Sequence, residues 1–151
     1  MPIGQAASIF QNLQPGDIVY IMPGVWEPVA TWALGRLSNS ELTGDYVNGS
    51  YDDYIIFTAY DPTQETVLDF SSMSFASTNR GVHIYGNYYY WSNIDICGAG
   101  DNGLYIGGSY NVVENCEFYN NRDTGLQLGR NYSSDSTIDS WPNYNLIKNC
   151  T

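Results

Sequence analysis

The sequence predicts an all-β fold, a right-handed parallel β-helix whose coils are about 22 residues long. A glycine-led motif recurs in register as Gly81-Val82-His83-Ile84, Gly103-Leu104-Tyr105-Ile106 and Gly125-Leu126-Gln127-Leu128, each 22 residues after the last. A second motif recurs at the same step: Trp91-Ser92-Asn93-Ile94-Asp95-Ile96 matches Val113-Glu114-Asn115-Cys116-Glu117-Phe118. Helical periodicity is absent from residue 50 onward. Asp101-Asn102-Gly103 is a hairpin-type signal, but a fixed period with like stacked on like favours in-register coils over a sandwich.

The elements follow in order, within one domain spanning 1–151. Residues 1–16 are expected to form a capping helix and turn. Ala6, Ile9, Phe10 and Leu13 fall on one helical face, and Gln14-Pro15-Gly16-Asp17 stops the helix. Such a helix covers the apolar end of the first coil. Ile18-Val19-Tyr20-Ile21 is a strand ended by Pro23-Gly24. Residues 30–53 show no coil and are expected to be an irregular insertion, a surface loop or a groove wall. Coils occupy 54–151, with regular strand at 54–60 and again at 66–70. Each glycine-led segment reads glycine, apolar, variable, apolar, a short strand with two side chains inward and one outward. The second motif returns a third time at Ile147-Lys148-Asn149-Cys150-Thr151, where Asn149 follows Asn115 by 34 residues. The extra residues fall in 131–142, expected to be an excursion loop. Asn93, Asn115 and Asn149 therefore stack as a structural ladder, their amides bonding from coil to coil and satisfying buried turn backbone. Tyr88, Tyr110 and Tyr144 share a register as well.

Composition narrows the function classes. With 16 Asp plus Glu against 5 Lys plus Arg, the formal net charge is −11. Nucleic acid is excluded as a partner, since phosphate binding needs a basic face. An anionic ligand requires local cations. No apolar run reaches membrane-spanning length, so no membrane partner is expected. Three cysteines, Cys97, Cys116 and Cys150, do not make a disulfide framework and are expected as buried thiols. Fourteen tyrosines and four tryptophans on an Asn-, Ser- and Gly-rich chain suggest a secreted β-protein with sugar-stacking surfaces. Met1-Pro2-Ile3-Gly4 does not open a signal peptide.

Three stretches together resemble pectate lyases of polysaccharide lyase family 9. They are Pro15-Gly16-Asp17-Ile18-Val19-Tyr20, Phe57-Thr58-Ala59-Tyr60 and the coil Glu114-Asn115-Cys116-Glu117-Phe118-Tyr119-Asn120-Asn121-Arg122-Asp123-Thr124-Gly125-Leu126-Gln127. The run from Trp141-Pro142-Asn143 to Asn149-Cys150-Thr151 is similar too. The resemblance implies a calcium-dependent β-elimination on polygalacturonate. Ca²⁺ would bridge protein and uronate carboxylate, and a lysine of lowered pKa would take the C5 proton. The family's metal ligands sit in Asn-Ala-Asp-Gly and Asp-Asp-Gly-x-Asp coils, which do not occur in this sequence. They are expected beyond residue 151. The single lysine, Lys148, does not match the family's base. The resemblance therefore carries over no catalytic or metal residue, and this chain alone is expected to be inactive.

What remains is a binding wall. His83, Tyr105 and Gln127 are the outward positions of the glycine-led strands and are expected to stack on one solvent-facing side. Since the family's later coils hold calcium on the equivalent face, these three are expected to floor the outer part of the same groove. Arg80, Arg122 and Arg130 lie within five residues of Gly81 or Gly125, and guanidinium groups suit uronate carboxylates. Pairing of those arginines with Asp101 or Asp123 is the alternative. Asp101 and Asp123 are expected as turn caps rather than metal ligands. The expected partner is an acidic polysaccharide such as polygalacturonate or pectin. End-to-end self-association through the last, incomplete coil is also expected. Two other readings stay open: a non-catalytic carbohydrate-binding or adhesive β-helix, and another β-helix uronate lyase or epimerase.

Overall fold

The protein is described by a computed structural model covering residues 10–135 and 137–151. The capping helix expected within 1–16 lies largely outside them. Of its apolar face, Phe10 and Leu13 are described. Both are buried in the core, with the Phe10 ring edge-on to Phe57 at 5.5 Å.

The first coil carries β1 (Ile18–Ile21), β2 (Gly24–Trp26) and β3 (Trp32–Leu34), followed by a four-residue helix, α1 (Ser40–Thr43). The second carries β4 (Ile55–Ala59), β5 (Thr66–Asp69) and β6 (Val82–Ile84). The third has β7 (Tyr89–Ser92), β8 (Asp95–Cys97) and β9 (Leu104–Ile106). The fourth has β10 (Val112–Glu114), β11 (Phe118–Tyr119) and β12 (Leu126–Leu128), and β13 (Leu146–Lys148) opens a fifth. Every strand pairing is parallel and joins one coil to the next. Three sheets result: sheet I is β1-β4-β7-β10-β13, sheet II is β2-β5-β8-β11, and sheet III is β3-β6-β9-β12.

Each coil thus has three strands, not the two expected. Trp91–Ile96 does not form one strand. It splits into β7 and β8, which belong to different sheets. The corner is Asn93, held at φ 57°, and Asn115 at φ 56° and Asn149 at φ 52° make the same corner in later coils. Asparagine tolerates this left-handed conformation better than other side chains, so it can turn the chain from one sheet to the next.

The insertion expected over 30–53 also needs correction. Trp32–Leu34 is β3, paired with β6 in the register Ala33↔His83. It has no leading glycine and only three residues, so sequence periodicity does not reveal it. The excursion expected over 131–142 falls between β12 and β13, as the sequence indicated, and contains a 3₁₀ turn at Ile138–Ser140.

The core is a set of like-on-like columns. Phe57, Trp91 and Val113 stack in sheet I, with the Phe57 and Trp91 rings 5.7 Å apart and nearly parallel at 17°, and the exposed Ile147 continues the column. Leu68 and Ile96 stack in sheet II, with the half-buried Phe118 packed on them, and Ile84 and Ile106 stack in sheet III, where the exposed Leu128 continues the column. The repeat glycines follow from the same closeness. A Cβ on Gly81 would meet the Gly103 carbonyl oxygen at 2.6 Å, and one on Gly103 would meet the Gly125 carbonyl oxygen at 2.7 Å. Backbone cannot yield there, so any side chain would push adjacent coils apart.

Candidate functional site

Sheet III places Ala33, His83, Tyr105 and Gln127 in one column on its outer side, by the registers Ala33↔His83, His83↔Tyr105 and Gln127↔Tyr105. None of them belongs to the apolar core cluster. The shared wall is therefore as the alternation indicates, but its solvent exposure is not. Gln127 is exposed, whereas His83 is 2 % and Tyr105 6 % exposed.

Segments from both flanks cover them. The Arg80 guanidinium lies over the Tyr105 ring at 3.6 Å and donates from one terminal nitrogen to His83 Nδ1 at 3.2 Å. Tyr85 stacks on His83 with centroids 3.6 Å apart. From the excursion loop, Asn131 Oδ1 lies 3.0 Å from His83 Nε2, and the Tyr105 hydroxyl donates to the Arg130 carbonyl at 2.9 Å. Arginine only donates, so His83 Nδ1 must be the accepting nitrogen and Nε2–H the donor to Asn131. Asn131 is held in turn by its amide, which donates to the Tyr85 carbonyl at 3.0 Å.

Burial then decides the charge. His83 is pushed down to about 3, first by desolvation and second by the Arg80 guanidinium, with a smaller contribution from Arg36. It is a neutral imidazole at physiological pH. Burial likewise raises the Tyr85 and Tyr105 hydroxyls, against the nearby arginines. None of these three side chains is poised to exchange a proton near pH 7.

The other arginines separate. Arg130 stays beside the wall, donating to the Asp135 carbonyl at 2.6 Å and lying 5.6 Å from the Trp141 ring. Arg122 sits over Phe75, 4.4 Å from its centroid, and does not touch the column. Asp101 pairs with Arg80 Nε at 3.6 Å, and Asp123 accepts from the Asn102 amide at 3.0 Å. Both are engaged by side chains, where backbone capping was expected. Among the described residues, no group of three or more His, Cys, Asp or Glu side chains could hold a metal ion. This donor set does not fit a calcium site. Lys148 is tied to Glu114 at 3.1 Å, and Glu114 also accepts from the Tyr90 hydroxyl.

The ladder of Asn93, Asn115 and Asn149 also differs in its cause. Asn115 does donate to Asn93 Oδ1, at 3.4 Å, but Asn115 and Asn149 are exposed and Asn93 is half-buried. Their value is the left-handed corner, not the satisfaction of buried backbone. Two other series do that work. Asn48, Asn87 and Ser109 each accept from the backbone N–H of the next coil, at Asn87, Ser109 and Asn143 respectively. Beside them, the fully buried Asn111 accepts from Tyr89 N at 2.8 Å, and Asn145 accepts from Asn111 N at 2.8 Å. The sequence held a signal for both. Ser109-Tyr110-Asn111 and Asn143-Tyr144-Asn145 flank the in-register tyrosines, whose rings stack 5.0 to 5.1 Å apart from Tyr88 to Tyr144.

Sequence reasoning missed Tyr85, Asn131 and Arg36. Tyr85 was legible as the next outward position after His83. Asn131 was not, because it reaches the wall from a loop 48 residues away. Arg36 lies in the segment where no coil was discernible, and its guanidinium stands 5.6 Å from the Tyr85 ring.

Comparison with known proteins gives four findings. The family described as "Pel9A-like, right handed beta helix region" matches residues 1–151. Pectate lyase L of Paenibacillus polymyxa (strain SC2) is 40 % identical over 91 residues, 60 % of this chain and 18 % of that protein. The crystal structure of pectate lyase Pel9A superposes with a TM-score of 0.69 at 22 % identity, covering 93 % of this chain and 32 % of that one. A mannuronic acid specific polysaccharide family 6 lyase from human gut microbiota superposes at 0.58 with 16 % identity, covering 96 % of this chain and 31 % of that one. The two structures establish the fold. The chain spans under a third of each relative's length.

Proposed function

Because this chain belongs to the Pel9A-like right-handed β-helix family, we propose that it forms the N-terminal coils of a secreted, calcium-dependent pectate lyase. The carrying observation is that the family matches the chain from end to end. The reaction is a β-elimination on polygalacturonate. A base takes the proton at C5 of a uronate unit, the C4–O bond breaks, and a C4=C5 double bond forms. The residues described above support no such base: His83 is buried and neutral, and Lys148 is ion-paired. The chain alone is therefore assigned a binding and scaffolding part, and the chemistry, with its Ca²⁺, is assigned to coils beyond residue 151. In this reading the outer side of sheet III, with the exposed Gln127 and the Arg80 and Arg130 guanidinium groups beside it, faces the acidic polysaccharide.

The test is to incubate the longer protein carrying this chain with polygalacturonate and Ca²⁺ and follow ultraviolet absorbance of unsaturated chain ends. Absorbance is expected to rise, and EDTA to abolish the rise. The 151-residue chain is expected to give none. A longer protein that yields no unsaturated product in any of these conditions overturns the lyase reading, and retention of the polymer without product would identify a carbohydrate-binding β-helix instead.

A further inference from the structure

We propose that the cavity of about 640 Å³ beside β3 and β6, walled by Arg36 and Arg80, is a docking pocket for the carboxylate of an acidic sugar. This deepens the proposed function and rests on it for the identity of the sugar, while the pocket itself stands on its own geometry.

The sign of the pocket is the first argument. The chain carries 16 acidic and 5 basic side chains. Yet two of those five arginines and lysines line this one cavity, and no Asp or Glu does. Two other clefts have the opposite character. One, of about 510 Å³ beside the Asn93 corners, is lined by Glu65, Asp95 and Glu117. The other, of about 280 Å³ under the excursion loop, is lined by Asp135 and Asp139. Neither is lined by a lysine or arginine. Of these three clefts, the Arg36–Arg80 cavity is the one that meets an approaching anion with cationic side chains.

The second argument is that these charges are not used up. Arg36 is exposed and, among the described residues, forms no ion pair; its neighbour is the Tyr85 ring. Arg80 makes one long pair, 3.6 Å to Asp101, and its buried Nε makes no hydrogen bond. Its orientation is fixed nevertheless, by the Tyr105 face on one side and His83 Nδ1 on the other. Such a preset guanidinium loses little freedom on binding. His83 cannot compete for the ligand, since both ring nitrogens are already occupied. It forms the floor.

The third argument concerns the sugar rather than the anion. The cavity has the size of small-ligand sites. The aromatic Tyr85 and the hydroxyl-bearing Ser77 and Thr78 share its lining with the two arginines. A carboxylate held by Arg36 leaves the hydroxyls of one uronate unit for Ser77 and Thr78 of the same lining. Residues from the insertion, from the segment between β5 and β6, and from sheet III meet only in the folded coil.

The experiment is a calorimetric titration of the 151-residue chain at low salt with trigalacturonate, the neutral galactotriose and inorganic phosphate as separate probes. Trigalacturonate is expected to bind, weakening as salt rises, and galactotriose not to bind detectably. Arg36→Ala is expected to weaken trigalacturonate at least about tenfold, the loss of one charge-assisted hydrogen-bonded contact. Arg36→Lys should recover part of that, and Lys148→Ala on sheet I should change nothing. In the unaltered chain, the Arg36 side-chain resonance should shift on titration, which keeps the test independent of any variant's folding. Equal binding of galactotriose, phosphate binding as tight as trigalacturonate, or unchanged affinity in Arg36→Ala each overturns the pocket. The outcome separates cleanly from that of the elimination assay. Product from the longer protein with no oligouronate binding here sinks only the pocket, and binding here without product there sinks only the lyase.

Discussion

His83 keeps both ring nitrogens occupied, Nδ1 by Arg80 and Nε2 by Asn131, and this arrangement requires the neutral ring. In the unfolded chain the same side chain titrates near the ordinary 6.5, and in the folded chain near about 3. The folded value lies below the unfolded one. The unfolded chain therefore binds the extra proton as pH falls, and stability is present above 6.5 and lost below it. Between about pH 6.5 and about pH 5 the expected slope from this group approaches roughly 1.4 kcal/mol per pH unit. It is the only histidine, and the carboxyls of Asp61, Asp69 and Glu114 are held below their usual range, first by side-chain hydrogen bonds from Thr63, Ser71 and Tyr90 respectively. Urea midpoints at about pH 7 and about pH 5 should differ accordingly, and His83→Gln should flatten the difference while lowering stability overall. A wild-type chain with no loss of stability over this interval would contradict the buried neutral ring. The sequence disclosed which strand position His83 holds. Its neutrality follows only from the segments that cover it.

The three-residue strands depend on their corners. Asn115 is exposed, so replacing it tests backbone conformation with little change in burial. At φ 56° an alanine is strained by about 1–2 kcal/mol, whereas glycine adopts the angle freely. Asn115→Ala is expected to lower the unfolding free energy by about 1 kcal/mol, and Asn115→Gly to lie close to the parent, measured by chemical denaturation. Equal stabilities for the two variants would remove the corner explanation. The Asn column was legible in the sequence because identical residues recurred in step. The division of Trp91–Ile96 into two strands was not, since no local pattern distinguishes an asparagine inside a strand from one that turns between sheets.

Across the whole molecule, each coil is stabilised by its neighbours rather than by itself, and the inward columns tie one coil to the next. Cys116 reports on that continuity. It is 2 % exposed, and burial pushes its thiol up to about 12, so neither access nor thiolate favours reaction in the folded state. Cys150, above it in the same column of turns, is half-buried. Labelling with a thiol reagent, mapped by mass spectrometry, should modify Cys150 first, and Cys116 at the rate of global unfolding. Prompt modification of Cys116 in native buffer would show that the coils open independently. The acidity of the chain acts at this scale too. Two clefts are lined by carboxylates, whereas the Arg36–Arg80 cavity is lined by arginines and no Asp or Glu, which suits it to the anionic ligand proposed above.

Alternation and repetition, which are properties of neighbouring residues along a chain, disclose the coil period, strands β6, β9 and β12 of sheet III, the excursion before β13 and the column His83, Tyr105 and Gln127. The tertiary structure alone decided that His83 and Tyr105 are covered, that Arg122 stands apart, and that Arg36 joins Arg80 in one cavity. Those outcomes turn on segments that return from far along the chain, Asn131 to His83 and the 30–53 region to β6. Nothing in a local pattern records which loop folds back over which strand.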